Sequence, residues 1–459
     1  MCAKRYGVLI FFLLVFLAVG GTGCVSVEET APVVPTATLQ PTEPSVLEQI
    51  RLAAADAPRE IAPSVDANLL DQQVAANNDF AFDLYQSLRQ QDGNLVYSPY
   101  SISTALAMAY AGARGETEAQ MSRALHYVLP QEQLHPAFNL LDQTLTDPGD
   151  GDDDFQLSVA NSLWGQEQYP FLPDFLDLLA RNYGAGIHLV DFTSDDSRET
   201  ARQAINAWVS QQTNARIKNL LAKGTLTDGT RLVLVNAIYA KGEWVNSFND
   251  TSPNPFTLLD EQQVDVPTMS RRSNTYYFIG DGCQAVVLSY RPYYQHGRAE
   301  MIIVMPDPGT FAAFEQDFIQ DALDRILNGL DYGDVELYLP KFEFGYSLEL
   351  RDSLVGMGMP EAFAPFDADF SGMYDRSNAP GNLAISNVVH QAFVLVDEDG
   401  TEAAAATGIV MTQIVELVIS PTEPPPLEIH IDHPFIFLIR DPATGSILFM
   451  GRVLDPRVP

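Results

Sequence analysis

The residues best suited to chemistry are few and scattered. The nearest approach to a metal set is His430, Asp432 and His433, within His430-Ile431-Asp432-His433. On a strand His430 and Asp432 share a face while His433 points the other way, so the three cannot converge without a turn. They read as strand residues, and no metal is expected. His390 lies in the apolar run Ile385–Val396, without an adjacent nucleophile and orienting group, and reads as a core histidine rather than a general base. Cys283, beside Gln284-Ala285-Val286-Val287-Leu288, reads as a buried strand-end thiol. The run DPGDGDDD over residues 147–154 lacks the glycine and distal glutamate of an EF-hand and reads as a solvated loop. No G-x-S-x-G, H-E-x-x-H, G-x-x-x-x-G-K-[ST] or G-x-G-x-x-G occurs. An enzyme reading has almost nothing to stand on, and no cofactor is expected.

A different kind of chemistry is written into Glu398–Gly408, EDGTEAAAATG. Gly400 permits backbone angles that other residues resist. Thr401, followed by an acid and four alanines, could cap a helix. The same residues could lie as a strand, with Thr401, Ala403, Ala405, Thr407, Ile409 and Met411 on one uncharged face and Glu402 on the other. A segment able to live both outside a sheet and inside one has the make-up of a conformational switch.

The rest of the chain supplies the frame. Its 459 residues can bury a large core. The formal net charge of −34 argues against nucleic acid or an anionic membrane surface as partner. Only Cys283 lies in the body, so stability must come from packing rather than an internal disulfide. Residues 1–23 read as a signal peptide: Lys4 and Arg5 precede an apolar run, Val8 to Val19, that is too short to span a bilayer comfortably. Gly21-Thr22-Gly23-Cys24 resembles a bacterial lipobox, although Gly21 stands where leucine is preferred, and it implies a lipid on Cys24. Removing the two cations of that leader takes the charge from −34 to −36. Residues 24–68, rich in Pro and Thr, read as an extended tether that buries nothing.

From Leu69 the pattern becomes helical up to Asp92-Gly93, followed by a short strand at Leu95–Tyr97 and a small-residue helix that Pro99 can begin. Ser98 and Ser101 at this apolar site need hydrogen-bond partners. The segment NLVYSPYSISTALAMAYAGARGET resembles the serpin family. So do LSVANSLW at Leu157–Trp164, INAWVSQQTNARI at Ile205–Ile217 and LVLVNAIYAKGEW at Leu232–Trp244. VELYLPKF at Val335–Phe342, Leu354–Phe363, DFSGM at Asp369–Met373, Ile385–Val396 and the final HPFIFLIRDPATGSILFMGRVLDP from His433 extend the resemblance over residues 69–459. It implies an α+β fold with three β-sheets, about nine helices and an exposed reactive-centre loop over about 398–428.

The resemblance also implies roles. Ser98, Pro99, Ser101, Asn236 and His390 would form the shutter under the central sheet. Trp244, Lys341 and Glu398 would form the breach at its top, with a Lys341–Glu398 salt bridge. Glu398, Gly400, Thr401, Ala403, Ala404, Ala405, Ala406 and Thr407 would be the hinge that enters the sheet after cleavage. Counting along the loop puts the bait residue at Ile414 and the cut before Val415, with Met411 and Leu417 as rivals. All are apolar, and no Lys or Arg occurs from Glu398 to Ile439, so a trypsin-like target is not expected and elastase-, chymotrypsin- or subtilisin-like enzymes are favoured. The expected partner is an extracellular serine protease held in a covalent complex. The expected inhibitor is a monomer, reaching a membrane only through its lipid and needing no polyanion cofactor. The alternatives are a non-inhibitory serpin-fold binding protein and a cross-class inhibitor of a papain-like cysteine protease.

Overall fold

Leu232–Glu243 is the strand around which the others are arranged. Its residues Leu232 to Ala240 are all buried, and the two faces differ. Val233, Val235 and Ala237 pack with Ala201, Ala204, Ile205 and Val209 of helix Asp195–Gln212, while Leu232 and Leu234 face a core that includes Ile102 and Leu106 of helix Pro99–Tyr110. An unbroken apolar run is what a strand covered on both sides requires. In the computed structural model, residues 46–146, 155–291, 299–401 and 424–458 are described. All belong to one unit beginning at Pro44.

The central sheet has seven strands. Their order is Arg51–Ala53, Ile187–Val190, Gln156–Gln166, Leu232–Glu243, Gly400–Thr401, Asn387–Val396 and Phe342–Glu349. A second array of nine strands runs from Leu427–His430 through Asp331–Pro340, Gln263–Gly280, Cys283–Ser289, Glu300–Pro306, Phe435–Arg440 and Ile447–Val453 to Leu95–Tyr97, with Asp250–Thr257 paired beside Gln263–Gly280. The second and third sheets implied by the family resemblance are thus joined. The 18-residue strand Gln263–Gly280 pairs with Asp250–Thr257 at one end and with Cys283–Val286 at the other, so hydrogen bonding runs from one to the next without a gap. Nine α-helices occur among the described residues. Helix Ala67–Leu88 is capped by Asp66, whose carboxylate accepts from Asn68 N at 2.9 Å, and Ser98 caps helix Pro99–Tyr110.

The expected tether over 24–68 needs correction at its C-terminal end. Arg51–Ala53 adds an edge strand antiparallel to Ile187–Leu189. Gly186 makes this approach possible, because a Cβ there would overlap the Ala53 carbonyl. Val46, Leu47 and Ile50 pack on the cluster under helix Asp195–Gln212. Arg59 then crosses to helix Gln131–Thr146, bonding Asn139 Oδ1 and Asp142 Oδ2 at 2.7 Å each. The physical reason is that three residues suffice to pair with an exposed edge, and so short a pairing leaves no periodic trace in a Pro/Thr-rich composition.

Candidate functional site

The site lies at the seam between Leu232–Glu243 and Asn387–Val396. These strands are parallel and directly paired from Asn387/Val233 to Phe393/Tyr239. Beyond that point they part, and Gly400–Thr401 fills the opening. Gly400 pairs with Glu243 and Thr401 with Gly242, both antiparallel, while Thr401 also faces Val396 on the other side. The seam is therefore closed below and already begun as a strand at its top.

Small residues make this seating possible. Gly400 does not adopt a left-handed conformation; its hydrogen is needed because a Cβ would strike the Gly242 carbonyl oxygen and lie 2.8 Å from Glu243 Cα. Its role is close backbone approach, not the unusual angles expected from the sequence. Gly242 is held to the same standard, with Phe155 and Tyr290 rings 2.7 and 2.9 Å from its missing Cβ. Thr401 is 1% exposed, and its hydroxyl shares a 2.5 Å hydrogen bond with that of Tyr290. Burial pushes the Tyr290 hydroxyl up, so it stays protonated.

Trp244 covers this point. Its ring stacks on Tyr290 at 4.5 Å and its Nε1 donates to the Asp397 carbonyl at 3.0 Å. The backbone N–H groups of Trp244 and Phe248 donate to the Asp399 and Glu398 carbonyls at 2.8 Å. Asp397 closes the turn before the hinge: its Oδ1 accepts from Asp399 N and Gly400 N at 3.0 and 3.1 Å. Burial pushes the Asp397 carboxyl up. Lys341 Nζ lies 2.6 Å from Glu398 Oε2, each side chain being about a third exposed. Burial opposes charge on Glu398, but Lys341 and Thr251 outweigh it and hold the carboxyl below its usual range. An ion pair so exposed contributes only about 0–1 kcal/mol.

Lower in the seam a polar network crosses from strand to strand. Asn236 and His390 are register partners, and their side chains are joined between Asn236 Oδ1 and His390 Nδ1. His390 Nε2 accepts from Ser98 N at 3.1 Å, so Nδ1 must carry the ring proton and donate to Asn236. Asn236 Nδ2 donates to Ser101 Oγ and Asn161 Oδ1, and Ser98 Oγ accepts from Ser101 N at 3.2 Å. Burial lowers His390 to about 3, which keeps it neutral. Pro99 opens the helix that brings both serines here.

The structure thus gathers Ser98, Pro99, Ser101, Asn236 and His390 into one cluster, and Trp244, Lys341, Glu398, Gly400 and Thr401 into another above it. Ala403, Ala404, Ala405, Ala406, Thr407, Met411, Ile414, Val415, Leu417 and Cys24 lie outside the described residues. So does the acidic run 147–154. Tyr290 and Asp397 belong to the upper cluster but escaped sequence reasoning; Gly242, which lies in the serpin-like segment Leu232–Trp244, belongs to it too, with a site role that the resemblance did not assign. Elsewhere, Cys283 is buried at the start of its strand and burial pushes its thiol up to about 12. His430 stacks on Tyr338, whereas His433 bonds Asp432 and the Pro306 carbonyl. Among the described residues no group of side chains is arranged to hold a metal.

The central seam is thus closed below, and a glycine-led segment begins a strand at its top. Residues 75–456 match the family described as serpin (serine protease inhibitor), and the chain belongs to it. The leukocyte elastase inhibitor of Xenopus laevis is 38% identical over 399 residues, covering 84% of this chain and 100% of that protein. An uncharacterized serpin-like protein of Thermococcus kodakarensis is 39% identical over 386 residues, covering 84% and 86%. Among solved structures, the native thermophilic serpin tengpin superposes with a TM-score of 0.75 at 27% identity, covering 89% of this chain and 100% of tengpin. Human thyroxine-binding globulin complexed with thyroxine gives 0.73 at 29% identity, covering 84% and 99%. Relatives named as elastase inhibitors support a protease inhibitor.

Proposed function

We propose that this serpin is a suicide-substrate inhibitor of serine proteases, acting by loop cleavage, covalent trapping of the acyl-enzyme and strand insertion. The observation that carries the proposal is the seating of Gly400 and Thr401 at the open end of the seam. The residues that follow on the face begun by Thr401 are Ala403, Ala405 and Thr407, all small and uncharged. The protease serine oxygen bonds to the carbonyl carbon of the bait residue. The peptide C–N bond breaks, the departing amine takes a proton, and the bait stays on the enzyme as an ester. The freed chain then continues the strand that Gly400 and Thr401 begin and draws the acyl-enzyme with it.

Insertion must part Asn387–Phe393 from Val233–Tyr239. A strand between them would hold the flanking strands about 9–10 Å apart, beyond the reach of the Asn236–His390 hydrogen bond. That network is therefore a latch that breaks during insertion, and the native state is held by a kinetic barrier. Ile414 as bait, with Met411 and Leu417 as rivals, directs the inhibitor to elastase-, chymotrypsin- or subtilisin-like enzymes, and the names of the relatives favour the first. The Lys4–Arg5 leader and the lipobox-like run ending at Cys24 support a location outside the cytoplasm on a lipid anchor.

Incubation with an elastase and a subtilisin tests the mechanism. The expected result is a complex that survives SDS, together with a C-terminal peptide whose mass gives the scissile bond. Clean cleavage with full protease turnover would sink the proposal and favour a binding role of the kind named for thyroxine-binding globulin.

A further inference from the structure

We propose that a cavity of about 470 Å³ behind the breach, lined by Asn246, Arg271, Ser273, Thr275 and Ser289, binds a small oxyanion of the phosphate or sulfate class on the guanidinium of Arg271. Arg271 is 5% exposed, yet among the described residues no carboxylate pairs with it. Its neighbour Arg272 is bound to Asp334, whereas the Nε–H of Arg271 has no partner among the described residues. A buried cation is ordinarily paired, because its desolvation is costly. Here the compensation is partial: one Nη1 bond to the Asn246 carbonyl, and the Phe248 ring 4.9 Å away.

The cavity supplies what an anion needs. Arg271, Ser273 and Thr275 alternate onto one face of strand Gln263–Gly280. The hydroxyls of Ser273 and Ser289 and the side-chain amide of Asn246 bond to no other described residue. Among the described residues no carboxylate lines the space, in a chain of net charge −34. A planar guanidinium with free N–H groups fits two oxygens of one anion, a geometry that chloride cannot use.

The site is also joined to the hinge. Asn246 and Phe248, which hold Arg271, lie in the segment whose Trp244 and Phe248 N–H groups bond the Asp399 and Glu398 carbonyls. An occupied site stiffens that segment and slows release of the hinge; this consequence, unlike the binding itself, rests on the insertion reading.

The test titrates the full-length chain with sodium phosphate against sodium chloride at matched ionic strength, by calorimetry and by thermal unfolding. One saturable site is expected, with a melting midpoint that rises with phosphate as mass action requires. Arg271→Gln should weaken it at least about tenfold, a loss of about 1.4 kcal/mol. Ser273→Asp should bring a carboxylate to Arg271 and abolish the phosphate response in a protein that melts no lower than wild type. Absence of saturable binding to folded wild type overturns the proposal, as does undiminished binding by either folded variant. Because no protease enters the assay, failure here is distinct from failure of the inhibitory mechanism.

Discussion

Substituting alanine for Gly400 tests the hinge at its tightest point. The new methyl would meet the Gly242 carbonyl oxygen, the Gly242 carbonyl carbon at 2.9 Å and Glu243 Cα at 2.8 Å, all of them backbone. No rotamer change relieves such a clash, so the strands must shift or the hinge must leave. Forcing the methyl in costs about 1–3 kcal/mol, as overpacking does elsewhere. Peeling the hinge out instead loses its ladder bonds to Glu243 and Gly242 and the Thr401–Tyr290 hydrogen bond, at about 0.5–1.5 kcal/mol net for each bond. Either route leads to about 2 kcal/mol, or roughly a thirtyfold shift toward an expelled hinge. Slower insertion gives the protease time to finish hydrolysis, so more inhibitor is consumed per protease inactivated. Amide exchange at Thr401 should accelerate in parallel. A Gly400→Ala protein with unchanged exchange and unchanged stoichiometry of inhibition would refute the close-approach argument.

Two further outcomes follow from the same geometry. His390 titrates at about 3 when folded against an ordinary 6.5, so the unfolded chain takes up its proton first and the stability from this group is complete above pH 6.5 and declines below it. Relative to His390→Asn, the wild type should lose at most about 2 kcal/mol between pH 7 and pH 5; equal pH dependence in urea unfolding of the two would contradict the neutral, buried assignment. Deleting residues 46–66 uncovers the edge strand Ile187–Val190 and removes the Arg59 bonds to Asn139 and Asp142. The melting midpoint should fall by several degrees, since about 1 kcal/mol moves it by a few degrees in a chain of this size, whereas deleting residues 25–43 should leave it unchanged.

Much of this arrangement is legible in the sequence where residue type and place in the fold coincide. Leu95–Tyr97 and Leu232–Trp244 are legible as strands, and the structure forms strands over Leu95–Tyr97 and Leu232–Glu243. Asn236 and His390 are polar residues inside apolar strands, which must find partners when buried, and they find each other. What escaped depends on contacts between distant segments. Nothing local to Gly400 announces the Gly242 carbonyl above it. The role of Tyr290 emerges only when Thr401 is brought to its hydroxyl. Arg271 and Arg272 are alike in the sequence, and only the pleat separates the buried guanidinium from the exposed one. Arg51–Ala53 is too short to show a period and is a strand only because Ile187–Leu189 offers an edge.

The central claim is that cleavage lets the chain after Thr401 extend the strand that Gly400 and Thr401 begin. Comparing thermal unfolding of the intact chain with that of chain cut at a single bond within residues 409–420 addresses it most directly. Completion of the seam adds a full strand of backbone pairing to the central sheet, and the account predicts that the cut protein unfolds at a sharply higher temperature than the intact one. A cut protein that unfolds at or below the intact midpoint would contradict it.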